Sequence, residues 1–222
     1  MTGIEELSKM SVQERTKLKW YDNRLDEVAT ALEKQKGLPE GSLRALKFAE
    51  NTGYKNGKIS KSENDSTVVS PTGAKGIMQI LDSTKKLQKG KFQHNHLDPV
   101  ESLHAAADLL SYTLTNQYKG NVIAAFADYN HGPSAGKEVM AGKPISNKEA
   151  KMYVEKVTEW YKGNFGESIP KKQPATQQAP TTQPVTSNET FMEKTGRVLK
   201  GELASDVFDG KKRETSSPSV KP

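Results

Sequence analysis

Ser70-Pro71-Thr72-Gly73-Ala74-Lys75-Gly76-Ile77-Met78-Gln79-Ile80 is the stretch on which the fold of this chain turns. Gly73 and Gly76 free the backbone to turn sharply and to come close to another group, which side chains would obstruct. Ile77 and Ile80 suit a core. Met78 offers a polarizable apolar surface, and Gln79 an amide that both donates and accepts. Such a segment either lines a site or packs a helix start, and its neighbours decide between the two.

Upstream, a helix is expected from about Pro39, a residue tolerated in a first turn, with Leu43, Leu46 and Ala49 on its buried side. It runs up to Glu50. A carboxyl at the end of an apolar helix is suited to general-acid work, because partial desolvation raises its pKa toward neutrality. From Asn51 to Ser70 the chain is rich in Gly, Asn, Ser and Lys without a helical period and reads as a long exposed loop. Downstream, Asp98-Pro99-Val100-Glu101 is a helix start. That helix continues through Leu103, Ala106, Ala107, Leu110 and Leu114 to Gly120. Asn121 caps a shorter one from Val122 to about Asp128. Ser146-Asn147-Lys148-Glu149 reads as a capping box leading into Tyr153, Val157, Trp160 and Tyr161.

At the N-terminal end, Ser11-Val12-Gln13-Glu14 is another capping box. Leu18, Tyr21, Leu25, Val28 and Leu32 then recur at helical spacing, predicting one amphipathic helix that ends at Gly37. Its stripe can pack on the main domain or on a partner. After Ile169 the composition turns to Pro, Gln, Thr and Lys, a linker with too little apolar surface to fold alone. Phe191, Val198, Leu199, Leu203, Val207 and Phe208 form a weak stripe beyond it, suited to docking. The expected organisation is a mainly α chain: an N-terminal helical segment over 1–37, a catalytic domain over 38–167, and a linker with an extended C-terminal tail over 168–222.

Composition narrows the chemistry. The 222 residues contain no cysteine and only four histidines, without an HExxH pairing, so catalysis must rest on oxygen groups and neither metal nor cofactor is expected. Hydrophobic residues make up 33% of the chain, and no run reaches the ~20 apolar residues of a membrane span. The N-terminal residues lack the basic-then-apolar order of a secretory signal. A formal charge of +6 suits any polyanion, but the lysines are scattered, which argues against a dedicated nucleic-acid domain.

Three segments in fixed order, joined by a fourth, carry a family resemblance. Glu50-Asn51-Thr52-Gly53-Tyr54 is followed by the 70–80 stretch, by Ala125-Phe126-Ala127-Asp128-Tyr129-Asn130-His131-Gly132-Pro133, and by Glu149-Ala150-Lys151-Met152-Tyr153-Val154. Together, over about Leu38 to Tyr161, they resemble the soluble lytic transglycosylase family, whose lysozyme-like fold is shared with goose-type lysozymes. The resemblance implies peptidoglycan glycan strands as substrate, cleavage of the MurNAc–GlcNAc β-1,4 bond, and a 1,6-anhydro product. By it, Glu50 is the catalytic acid and base, and Ser70, Met78, Gln79, Tyr129 and Asn130 are substrate-binding: Met78 under a pyranose ring, Ser70 orienting the acetamido group, Tyr129 offering its hydroxyl near Glu50 or that group. Asn130 is divided between substrate and turn, and Glu149 is expected as a structural cap or buried ion-pair partner.

The chain departs from the family pattern at Asn51-Thr52, at Asp128 and at His131, and the interval from Glu50 to Ser70 is about twice the common length. That interval holds Glu63 and Asp65. Either one, placed across a cleft with a water, would make an inverting goose-type muramidase instead. A non-catalytic structural or wall-binding protein on the same fold is the alternative of a different class. The lack of a signal-like N-terminus and of cysteines, a compact wall-cleaving domain, and the segments 1–37 and 188–210, read as assembly devices, suggest a bacteriophage virion component that opens the host wall during genome entry; a bacterial enzyme serving a secretion machine by a non-standard export route is the runner-up.

Overall fold

The computed structural model describes residues 2–55, 58–87 and 94–170. The fold is mainly helical. In chain order it comprises α1 (Gly3–Lys9), α2 (Val12–Arg15), α3 (Asn23–Gln35), α4 (Ser42–Glu50), β1 (Thr52–Lys55), β2 (Lys58–Lys61), α5 (Asp82–Leu87), α6 (Pro99–Tyr112), α7 (Val122–His131), α8 (Pro133–Met140) and α9 (Lys148–Phe165). At its centre lies α6, whose Val100, Leu103, His104, Ala105, Ala106, Ala107 and Leu110 are all buried, while Tyr112 at its end is exposed. Packing on α6 are α3, α4 and α7, while α9 closes against α4 and α7.

The start of α6 follows its sequence: Asp98 accepts from the Val100 backbone N–H at 3.0 Å, and Pro99 occupies the first turn. Asp98 also receives the Arg15 guanidinium, with Nε 3.1 Å from Oδ1 and 3.0 Å from Oδ2, and both side chains are buried. This pair ties the N-terminal segment to the central helix.

That segment differs from the expected single helix. The Ser11 capping box forms, but α2 ends after four residues, and α3 starts afresh at Asp22, which accepts from the Arg24 N–H at 3.0 Å. The break lets Trp20 turn inward, where its indole N–H donates to the Ser62 carbonyl at 2.9 Å. Leu25, Val28, Ala29 and Leu32 of α3 are buried in the main core, so the apolar stripe is covered within the fold.

The stretch after Asn51, expected as a loop, contains two paired strands. Between Thr52 and Lys61, β1 and β2 form an antiparallel hairpin, and the following strap is pinned to the N-terminal segment: Ser66 Oγ donates to the Leu18 carbonyl, and Lys19 bridges to Asp65. The expected helix after Asn121 extends to His131. There Gly132 ends it and Pro133 opens α8, a helix not expected from the sequence. Asn147, not Ser146, caps α9, accepting from the Ala150 N–H at 2.9 Å. Ile169 is buried in the main core, so the folded unit reaches beyond Glu167. The linker beyond residue 170 and the Phe191–Phe208 stripe lie outside the described residues.

Candidate active site

Two features that belong to other helices fix the helix carrying Glu50. At its front, α4 has no side-chain cap of its own. Instead Glu33 of α3 accepts from the Gly41, Leu43 and Arg44 N–H groups at 2.7, 2.8 and 3.3 Å. A buried carboxylate at a helix N-terminus satisfies the free donors and complements the dipole. Gly41 is required there: it sits at φ 83°, and a Cβ would come within 2.6 Å of the Phe165 ring.

At its rear the free carbonyls are closed one by one. Asn51 Nδ2 donates to Lys47 O at 2.7 Å, Thr52 Oγ1 to Phe48 O at 2.7 Å, and Lys156 Nζ of α9 to Ala49 O at 2.5 Å and Thr52 O at 2.8 Å. Asn51 and Thr52, which depart from the family pattern, are thus the residues that end α4. Asn51 Nδ2 also donates to Ile77 O at 2.7 Å, fastening the helix end to the glycine-rich stretch.

Glu50 emerges from that end into a cleft of about 460 Å³ lined by Thr52, Gly53, Asn130, Glu149, Tyr153 and Lys156, among others. The Tyr153 hydroxyl donates to Glu50 Oε1 at 2.7 Å. Desolvation raises the carboxyl, the Tyr153 hydrogen bond and the Lys156 charge oppose the rise, and Glu149 adds to it; the balance puts Glu50 at about 7. A carboxyl at that value gives up and takes back a proton near neutral pH.

The remaining sequence candidates divide. Tyr129 reaches the site, but its hydroxyl donates to Met78 O at 2.8 Å rather than to Glu50. Burial and the Glu50 charge hold its pKa well above the ordinary tyrosine range. Asn130 lines the cleft, and its Oδ1 is buried with no hydrogen-bond partner, an acceptor left for a ligand donor. Met78 corrects the expectation of a sugar platform: its side chain is fully buried in the core, and its carbonyl is what it gives the site. Gln79 holds a positive φ of 47° and donates Nε2 to Gly76 O at 2.8 Å, closing its own turn. Ser70 Oγ accepts from the Ala74 N–H at 3.0 Å and pairs with the Thr72 hydroxyl at 2.9 Å, so it braces the loop. Gly76 comes close to protein rather than to open cleft: at φ 71°, a Cβ would lie 1.8 Å from His96 O.

Glu149 departs from its expected role, whereas Glu63 and Asp65 stay on the loop face away from the cleft. Glu149 is exposed on the cleft wall instead of buried or capping. Glu63 accepts from the Tyr21 hydroxyl at 2.9 Å, and Asp65 from the Thr67 N–H and hydroxyl at 2.9 and 2.6 Å. Both are engaged with the strap and are not among the cleft-lining residues. Asp128, the departure ahead of Tyr129, accepts from the Tyr118 hydroxyl at 2.9 Å.

Sequence reading passed over Tyr153 and Lys156 as site residues. Tyr153 stands in the Glu149–Val154 segment as part of an apolar stripe, and Lys156 has no local signal, since its carbonyl partners lie far away in the chain, on α4 and β1. Among the described residues no helix is long and apolar enough to cross a membrane, and no group of three or more potential metal ligands occurs. Residues 59–152 match the family model described as the transglycosylase SLT domain, which fits the mainly helical fold and supports a peptidoglycan-degrading function of the lytic transglycosylase type.

Proposed function

We propose that the chain is a lytic transglycosylase that cleaves the MurNAc–GlcNAc β-1,4 bond with Glu50 as its one acid and base. The observation that carries this is the Glu50 carboxyl itself: partly buried, bonded to Tyr153, raised to about 7, and facing a cleft beside the unpaired Asn130 Oδ1. Protonated Glu50 gives its proton to the glycosidic oxygen as the C1–O bond breaks, and the 2-acetamido oxygen bonds to C1. The Glu50 carboxylate then takes the C6 hydroxyl proton while that oxygen displaces the acetamido oxygen at C1. Glu50 ends protonated and no water is consumed.

A hydrolytic second reading rests on Glu149, which shares the cleft, rather than on Glu63 or Asp65. Mass spectrometry of muropeptides released from purified sacculi separates the two. Anhydro ends are expected, and reducing ends would reject the transglycosylase. Glu50→Gln should lower sacculus digestion at least ~10²-fold, the scale of one general acid–base residue.

The setting we propose is a phage virion that opens the host wall locally. Its support is the sequence beyond residue 170, a Pro-, Gln- and Thr-rich stretch followed by an apolar stripe suited to a partner. Deleting residues 188–210 should lower incorporation into particles without lowering cleavage of purified sacculi. Unchanged incorporation would remove this setting.

A further inference from the structure

The Lys156 ammonium stands where three parts of the site meet. It closes the Ala49 carbonyl in the last turn of α4 and the Thr52 carbonyl of β1, lies 5.6 Å from the centre of the Tyr153 ring, and lines the cleft with Glu50. Helix carbonyl ends repel a carboxylate, and a cation placed among them removes that repulsion. Resting on the glycan-cleaving reading above, we propose that Lys156 is a positioning residue: it holds the end of α4 against Tyr153 and balances the negative form of Glu50, so that one carboxyl can serve first as acid and then as base.

The groups facing Glu50 bear this out. From α9 come Tyr153, Lys156 and Glu149, and from α7 comes Tyr129. Lys156 opposes the rise that desolvation imposes on Glu50, whereas Glu149 adds to it. In return, Glu50 and Glu149 favour the charged lysine against its own burial. A neutral residue at 156 would leave Glu50 protonated through neutral pH. The anion that forms as it donates to the glycosidic oxygen would then lack its counter-charge, so the donation step would slow although the acid is fully protonated at that pH.

The test is the ¹³C shift of the Glu50 side-chain carboxyl followed against pH in the full chain, with the resonance identified by its loss in Glu50→Gln. The wild-type midpoint is expected near 7. Lys156→Met should raise it by about one pH unit or more, the usual effect of one close opposite charge, and Lys156→Arg should restore it. Sacculus turnover at pH 7 should fall by up to about tenfold in Lys156→Met, the factor carried by one pH unit of lost anion stabilisation. Lys156→Gln keeps a donor for the carbonyls without the charge, and it should also raise the midpoint if the methionine variant does not fold. A midpoint unmoved in a folded Met or Gln variant overturns the proposal, even where melting temperature drops, because that is the signature of a merely structural lysine. A wild-type chain that titrates as expected yet releases no muropeptides overturns the glycan-cleaving reading and, with it, the service assigned to Lys156. A chain that cleaves through Glu50 with an unmoved midpoint removes Lys156 alone.

Discussion

Replacing Glu50 by Gln should make the protein more stable as it makes it inactive, and the gain should depend on pH. The folded chain holds the Glu50 carboxyl at about 7 against an ordinary value of 4.5. The folded state therefore binds this proton more tightly than the unfolded state. Wild-type stability from this group is full below about pH 4.5, declines as pH rises through the interval to about 7, and is flat above it. At about 1.36 kcal/mol per pH unit the gap amounts to at most ~3 kcal/mol. Glutamine keeps the shape, still accepts from the Tyr153 hydroxyl, and carries no charge to desolvate. For a domain of this size the difference corresponds to a rise in melting temperature of roughly 5–10 °C. The assay is thermal denaturation followed by circular dichroism at pH 4.5 and pH 8, wild type against variant. Near-equal melting at pH 4.5 and a more stable variant at pH 8 are expected. A difference of the same size at both pH values, or a wild type more stable at pH 8, would refute the burial of an ionisable Glu50 and the acid–base role built on it.

Three other perturbations follow from the same geometry. Tyr153→Phe removes a hydroxyl that favours the Glu50 anion; a hydrogen bond to a charged group is worth ~1.5–3 kcal/mol, so the basic limb of the pH–activity profile on sacculi should move up by about one pH unit or more. An unchanged limb counts against the bond. Arg15→Leu leaves Asp98 buried without its cation and should cost about 3–5 kcal/mol in urea denaturation, against under 1 kcal/mol if the pair is idle. Truncation after Pro170 should keep full stability, whereas truncation after Glu167 removes the buried Ile169 and should cost ~1.5–3 kcal/mol; equal stability of the two would return the boundary to Glu167.

What was legible in the sequence was whatever is written locally. The start of α6 could be read because Asp98, Pro99 and Glu101 stand within four residues, and the end of α4 at Glu50 because a helical stripe stops there beside polar residues. The break between α2 and α3 was not, since the apolar spacing continues across it and only the long-range seat of Trp20 against Ser62 shows that the chain turns. Residues 70–80 were recognised as decisive, but their roles were misassigned. Glycines suited to approaching a sugar are equally suited to approaching the His96 carbonyl, and a methionine suited to a ring is equally suited to a core. Lys156 could not be found because its meaning lies in carbonyls distant in the chain, at the end of α4 and the start of β1.

The way α4 is held has a consequence for how the activity is inherited and engineered. Glu33 in front, Lys156 behind and Tyr153 at the side all lie, like Glu50, outside the stretch 59–152 by which the chain is recognised. A fragment cut to those limits, or a chimera that exchanges only that stretch, would carry the glycine-rich turn, α6 and α7 but neither the acid nor the three side chains that hold it. Conversely, grafting a foreign residue 59–152 segment between this chain's own flanks would transplant the groove while leaving the acid and its supports in place. The smallest portable unit of activity is therefore longer at both ends than the smallest recognisable one, and it must run from the N-terminal helices to the end of α9.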